Sequence, residues 1–302
     1  MREACGLVDR FERGKLAFTG AQAKTFLQGQ VTNDVETLVP GSGRYAALLS
    51  QKGKMLGDLR ILDTGDEIWL DTERSALQGI FNVLHRARVG FDAELHKRTL
   101  QRGLLSLIGP DARRVAGAQG LPHDEHANAP VELDGIAARA VVTDLGIDLI
   151  HDAGETPALA ATLTARGAQP VPEAAAEVLR VEHGRPRYGI DLDETTIPQE
   201  AGLNERAVSF SKGCYVGQET VARLFYKGKP NRHLRGLRLS APVPSGTELM
   251  LGEKAVGRLG SVADSPLHGP IALALVRREA EPGATLSAGE ATATVVELPF
   301  RS

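Results

Sequence analysis

Cysteine is nearly missing from this chain. Cys5 and Cys214 are the only two among 302 residues. Two thiols so far apart give neither a disulfide framework nor the spacing of zinc ligands. One chain with two cysteines also cannot supply four thiolates to an iron–sulfur cluster. The pattern fits a reducing compartment and offers no metal site. Long apolar runs are lacking too: IALALV at 271–276 falls far below the ~20 residues needed to span a bilayer. The first ten residues, MREACGLVDR, lack the apolar core of a signal peptide. These absences predict a cytoplasmic protein without a membrane partner. Net charge is -3, so the molecule as a whole is not a nucleic-acid binder on charge grounds. Aromatic residues, at 4%, are also sparse for base stacking.

What remains is ordinary globular composition, 42% hydrophobic and 24% charged, in a chain long enough for two or three domains. Near the start, LAFTG (16–20) reads as a strand and AQAKTFLQGQV (21–31) as a helix. RYAALLS (44–50), MLGDLRILD (55–63) and EIWLDT (67–72) read as strands, the first two joined by a hairpin turn at 51–54. SALQGIFNVLHRARV (75–89) is an amphipathic helix. Residues 117–131 read as a loop and 138–144 with 147–152 as a hairpin. Helices are predicted over 156–167, opening on Thr156-Pro157, and over 173–184. From about Asn231, short apolar runs alternate with Gly/Pro punctuation, as in a small β-barrel or sandwich.

The chemistry concentrates in 178–229. Glu182 sits near the end of a predicted helix. A lone glutamate there is either a solvated side chain or an acceptor for paired N–H donors on a flat heterocycle. Cys214 lies two residues after Lys212, just upstream of a predicted helix over 218–225. A helix N-terminus and an ammonium both favour a thiolate, whereas an inert cysteine packs as a small hydrophobe. Residues 202–238 hold eight Lys or Arg against two acids, Glu205 and Glu219. That excess is a solvated face, a grip on an anionic tail, or a contact for RNA phosphate, the last weakened by the shortage of aromatics.

KGCYVGQE (212–219) matches the signature of the YgfZ-type folate-binding proteins, which are implicated in assembly or repair of iron–sulfur enzymes. VARLFYKGKPNRHLRGL (221–237) continues the resemblance. The wider chain resembles the aminomethyltransferase (glycine-cleavage T-protein) superfamily. FLQGQVTNDVETLVPGSGRYAALLSQKGKMLGDLRIL (26–62) is similar to its N-terminal block, and LRVEHGRPRYGIDLDETTIPQEAGL (179–203) to its central block. The match is poorest around 95–170.

The resemblance implies an α+β fold. Two α+β domains and a C-terminal antiparallel β-barrel would form a three-domain ring around a folate pocket. The expected domains are a discontinuous folate-binding one (1–50 plus 135–230), a ferredoxin-like one (51–134) and the barrel (231–302). By position, Glu182 would hold the pterin of tetrahydrofolate or a one-carbon derivative. Tyr188, Leu49 and Met55 would line the slot, and Arg223 would meet the folate tail or orient Glu182. Cys214 would be the functional thiol, with Lys212 and Gln218 beside it and Gly217 shaping the loop. Partners would be iron–sulfur client or assembly proteins. One departure stands out. The helix at Ser75–Ile80 carries Ala76 where the aminomethyltransferases would place an acid, and no Asp or Glu lies between Glu73 and Asp92. Methylene transfer then lacks a positioned acid or base. The expected function is a folate-binding accessory protein for iron–sulfur enzymes. A true aminomethyltransferase and an RNA-linked tRNA-modification factor are the alternatives.

Overall fold

The computed structural model describes residues 1–301, and the chain divides into two compact units. The first takes Met1–Leu48, Gly57–Glu173 and Ser211–Tyr215, and the second Leu49–Leu56, Ala174–Phe210 and Val216 onward.

In chain order the first unit is built from β1 (Cys5–Asp9), β2 (Gly14–Thr19), α1 (Ala23–Gln30), β3 (Gly43–Leu49), β4 (Met55–Asp63), β5 (Ile68–Thr72) and α2 (Arg74–Ala87). There follow β6 (Glu94–Lys97), β7 (Arg102–Ile108), α3 (Ala112–Val115), β8 (Asn128–Leu133), β9 (Ile136–Val142), β10 (Gly146–Asp152), α4 (Thr156–Ala165) and β11 (Ala168–Pro170). Six strands pair in the order β11-β1-β7-β10-β9-β8, and five in the order β3-β4-β5-β2-β6. The strands β3 and β4, which flank residue 50, are thus neighbours in one sheet.

Apolar patterning explains both layers. The near-continuous apolar runs of β7 and β10 are buried in the middle of the six-stranded sheet, against Leu159 and Leu163 of α4 and Val115 of α3. Ala76, Ile80 and Leu84, four apart on α2, are its buried stripe. Gly57 on β4 admits that helix: a Cβ there would lie 2.8 Å from the Ala76 Cβ and from the Ile80 Cδ1.

The predicted hairpin at 138–152 is present as β9 and β10. The end of the predicted 117–131 loop is instead strand β8, paired with β9 from Asn128↔Val141 onward. It lies at the sheet edge, where Pro130 costs no ladder bond.

The second unit holds α5 (Glu173–Glu182, entered from the first unit), α6 (Asn204–Ala207) and α7 (Gln218–Lys227). The strands β12 (Arg232–Leu239), β13 (Glu248–Leu251), β14 (Lys254–Ser265), β15 (Gly269–Arg277), β16 (Thr285–Ala288) and β17 (Ala291–Val296) close into an antiparallel barrel, in the order β12-β15-β14-β13-β16-β17. Closure leaves no free edge, and Leu237, Leu249, Leu259, Val276 and Val295 fill the interior. The fold is therefore α+β with a C-terminal barrel. Among the described residues, no helix is long and apolar enough to cross a membrane.

Candidate functional site

Within the second unit, the tip of the β3–β4 hairpin meets the start of α7. Leu49 and Met55, at the two ends of the turn, are buried. The turn is closed by Ser50 N donating to Lys54 O (2.8 Å) and Gly53 N to Ser50 O (2.9 Å). Met55 N donates to Thr196 O at 2.9 Å, and the Lys54 ammonium to Thr195 O at 2.7 Å. Gly217 caps α7 in the left-handed conformation (φ 83°). A Cβ there would lie 2.5 Å from Ser50 O and 3.1 Å from the Leu49 Cβ. Only glycine lets the helix start approach the hairpin so closely. Leu49, Met55, Gly217 and half-buried Gln218 are thereby brought into one neighbourhood.

Glu182 ends α5 and is 5% exposed. Its carboxylate accepts from the Ser265 hydroxyl at 2.5 Å, and its carbonyl from Phe300 N at 2.9 Å. The Ser265 oxygen in turn accepts from Leu267 N and His268 N, both at 3.1 Å. Glu182 therefore fastens α5 to a barrel loop, a task that leaves a carboxylate with further acceptor positions. Tyr188 is half-buried and bridges to Leu192 in the turn that follows α5. Asp191 fixes that turn by accepting from Arg187 N (2.8 Å), Ser261 N (2.7 Å) and the Arg180 guanidinium (3.0 Å). Arg223 is exposed on α7 and bonds to none of the described residues. Of the two roles implied for it, orienting Glu182 is not seen, and reaching toward an anion is left.

The first unit contains the other half of the motif. Lys212 Nζ donates to three carbonyls, Gln28 O (2.6 Å), Val31 O (2.8 Å) and Asn33 O (2.9 Å). These lie at and just beyond the C-terminus of α1, where carbonyls lack intrahelical partners and the dipole is negative. Burial pushes this ammonium down to about 8, against the pull of Asp34 and Glu36. An ammonium has three protons to give, and all three are committed. Lys212 thus anchors the loop to α1, and whatever it does for the Cys214 thiol it does through its charge, not through a hydrogen bond. The buried Tyr215 ring lies under the ammonium, 5.2 Å from its centroid, and burial pushes its phenol up to about 12. Cys214, between these two fixed side chains, is a free and exposed thiol.

Sequence reasoning looked for an acid on α2 and missed one on β4. Asp58 is 8% exposed and accepts a short hydrogen bond from the Tyr45 hydroxyl of β3, while its Oδ1 has no hydrogen-bond partner among the described residues. Burial raises its carboxyl above the ordinary 3.8, against the lowering effect of the Tyr45 bond. Nearby, Asp71 accepts from both Arg13 and Arg60. Burial raises it, but the two guanidiniums outweigh that and hold it well below the usual range. Asp71 is locked in an ion network, whereas Asp58 is a buried carboxyl with a free oxygen, suited to taking or giving a proton. The signal was present in the sequence: Asp58 and Arg60 share one face of β4 with Leu56 and Leu62.

Comparison with known proteins agrees with this architecture. Residues 1–212 match the model of the GCVT N-terminal domain, and 232–299 that of the CAF17 C-terminal beta-barrel domain. An aminomethyltransferase of Streptomyces coelicolor is 30% identical over 91% of this chain and 79% of its own length. A chloroplastic protein of Arabidopsis thaliana, described as a transferase, is 28% identical over 97% of this chain and 71% of its own. The crystal structure of the glycine cleavage system aminomethyltransferase T from Bartonella henselae superposes with a TM-score of 0.86 at 27% identity, covering 99% of this chain and 87% of that one.

Proposed function

Because the chain belongs to the family of the GCVT N-terminal domain, we propose that it binds tetrahydrofolate or a one-carbon derivative and serves as a cytoplasmic accessory protein in the assembly or repair of iron–sulfur enzymes. The residues present fit such a cofactor. In the second unit, Glu182 is a carboxylate that can face paired ring N–H donors, Leu49 and Met55 are buried beneath the hairpin tip and fix its shape, and Tyr188 sits on a fixed turn. Arg223 has a free guanidinium for a carboxylate tail. Bound folate would supply a carrier for one-carbon units.

The observation that carries the accessory reading is Cys214: an exposed thiol in a loop whose shape is set by Lys212 on one side and Gly217 on the other. Such a thiol can lend one ligand to a cluster in transit, or as a thiolate it can attack a disulfide of a client, breaking that S–S bond, forming a mixed disulfide and releasing the client's other sulfur as a thiolate. The test is a deletion strain complemented with Cys214→Ser. Aconitase and related enzymes should stay impaired under oxidative load, with folate binding by the variant intact. Full recovery of those enzymes by Cys214→Ser would reject this role for the thiol.

A second reading, one-carbon transfer of the aminomethyltransferase type, is favoured by Asp58. Its raised carboxyl supplies the acid or base that α2 lacks. Release of ammonia from an aminomethyl-lipoyl carrier protein in the presence of tetrahydrofolate is the assay for it.

A further inference from the structure

The chain has thirteen aromatic residues, eight Phe, four Tyr and one Trp, yet three of them gather at α7. The Phe210 and Phe225 rings stack with centroids 3.8 Å apart, and Tyr226 meets Phe225 edge-on at 5.0 Å. Phe225 is 46% exposed and Tyr226 67%. Just after α7, Lys229 lines a cleft of about 510 Å³ together with His233, Arg235 and Arg278. Arg278 and Glu279 are shared with an adjoining cleft of about 520 Å³, lined also by Lys54, Arg232 and Arg277. All of these residues belong to the second unit.

Some of the charge in this groove is internally compensated. Arg232 pairs with Glu200, Arg235 with Glu297, and Glu279 with Lys254. Among the described residues Lys54, Lys229, Arg277 and Arg278 form no salt bridge, although Arg277 adds to the Lys254 hydrogen bond in lowering the Glu279 carboxyl, and Glu281 lines the outer cleft without a salt bridge of its own. Set against Glu281, these four cations leave the groove with a positive excess, which attracts an extended anion. Unpaired cations alone would suit an acidic peptide equally well. The exposed rings decide between them, because a planar base stacks on a ring face while phosphates track the cations, and single-strand binders combine those two features. Net charge and chain-wide aromatic content are averages, and they conceal this local arrangement.

We propose that the groove beside α7 binds single-stranded nucleic acid, with phosphates on Lys54, Lys229, Arg277 and Arg278 and bases on Phe225 and Tyr226. The test is fluorescence anisotropy of the full chain, without folate, against labelled oligouridylate of about 12 nucleotides, a length within the usual range of single-strand sites. Four phosphate contacts predict a log–log salt slope of about -3. The Arg277→Ala/Arg278→Ala double variant should lose about 1.4 of that slope. Tyr226→Ala should weaken binding about tenfold and leave the slope unchanged, as stacking requires. All three side chains are exposed, and circular dichroism of each variant verifies its fold. Absence of saturable binding at low salt would overturn the proposal. So would equal displacement by a polyglutamate peptide of the same charge with no effect of Tyr226→Ala, which would assign the groove to an acidic protein.

Discussion

Gly213 and Gly217 flank Cys214 and look interchangeable in the sequence, yet their alanine variants should behave very differently. At Gly217 the backbone is left-handed, φ 83°, which costs an L-residue about 1–2 kcal/mol. The new methyl would also lie 2.5 Å from Ser50 O and 3.1 Å from the Gly53 Cα. Both obstacles are close to backbone rather than to a flexible side-chain end, so the hairpin tip must shift. Over-packing of this kind adds about 1–3 kcal/mol, which brings the expected loss for Gly217→Ala to about 2–5 kcal/mol. At Gly213 an added methyl meets nothing within 4 Å and φ is outside the left-handed region. Gly213→Ala should be neutral or stabilise by about 0.4–1 kcal/mol through the unfolded chain. That unfolded-state gain is common to both variants, so their difference isolates the strain and the clash. Urea unfolding followed by far-ultraviolet circular dichroism measures it. Equal stabilities for the two variants, or a Gly217→Ala loss below about 1 kcal/mol, would refute the close approach of α7 to the hairpin.

Three further substitutions test other contacts. Lys212→Met strips the charged donor from Gln28, Val31 and Asn33 carbonyls and should cost at least about 1.5–3 kcal/mol. It should also open the 209–217 loop to limited proteolysis, and unchanged cleavage would contradict the anchoring role. Asp58 titrates above 3.8 when folded, so between 3.8 and that higher value the folded state holds the extra proton, and stability falls as pH rises through the window. Asp58→Asn removes the ionisation, so its melting temperature relative to the parent should rise as the pH is taken from about 3, below the window, to neutrality; a pH-independent difference would count against a raised carboxyl. Ser265→Ala separates the two tasks of Glu182. It should cost about 1.5–3 kcal/mol of stability while sparing tetrahydrofolate affinity, which Glu182→Ala should lower. If both variants weaken folate alike, Glu182 acts only through the barrel loop.

What was legible followed from periodicity. The helices α1, α2, α4, α5 and α7 carry apolar residues at helical spacing or clear start signals, and each formed within a few residues of its expected place. The barrel was legible from its turn punctuation. The strand β1, in contrast, gave no alternation to read. Its CGLVD is a short buried run, paired with β7 on one side and β11 on the other, and such runs are ambiguous by pattern alone. For the candidate site, the sequence points to residues but not to their contacts. Lys212 next to Cys214 in sequence suggests that it acts on the thiol, but its acceptors come from a helix some 180 positions earlier. Local spacing cannot reveal a partner brought in by tertiary structure.

The acid question turns on the same point and separates the two functional readings. Successive side chains of β4 face opposite ways. Gly57 faces α2, where Ala76 and Ile80 fill the space a Cβ would need, so helix–sheet packing leaves no room for a carboxylate at Ala76. Asp58, one residue on, faces Tyr45 instead. The small residue at 76 therefore records packing on one face of the strand and says nothing about chemistry on the other. If the protein transfers one-carbon units, Asp58→Asn should abolish folate-dependent ammonia release and Cys214→Ser should spare it. If it serves iron–sulfur enzymes through its thiol, Cys214→Ser should fail to complement the deletion strain and Asp58→Asn should succeed. Two variants in two assays give opposite patterns for the two readings, and loss of both activities in both variants would show that neither residue acts independently of the other.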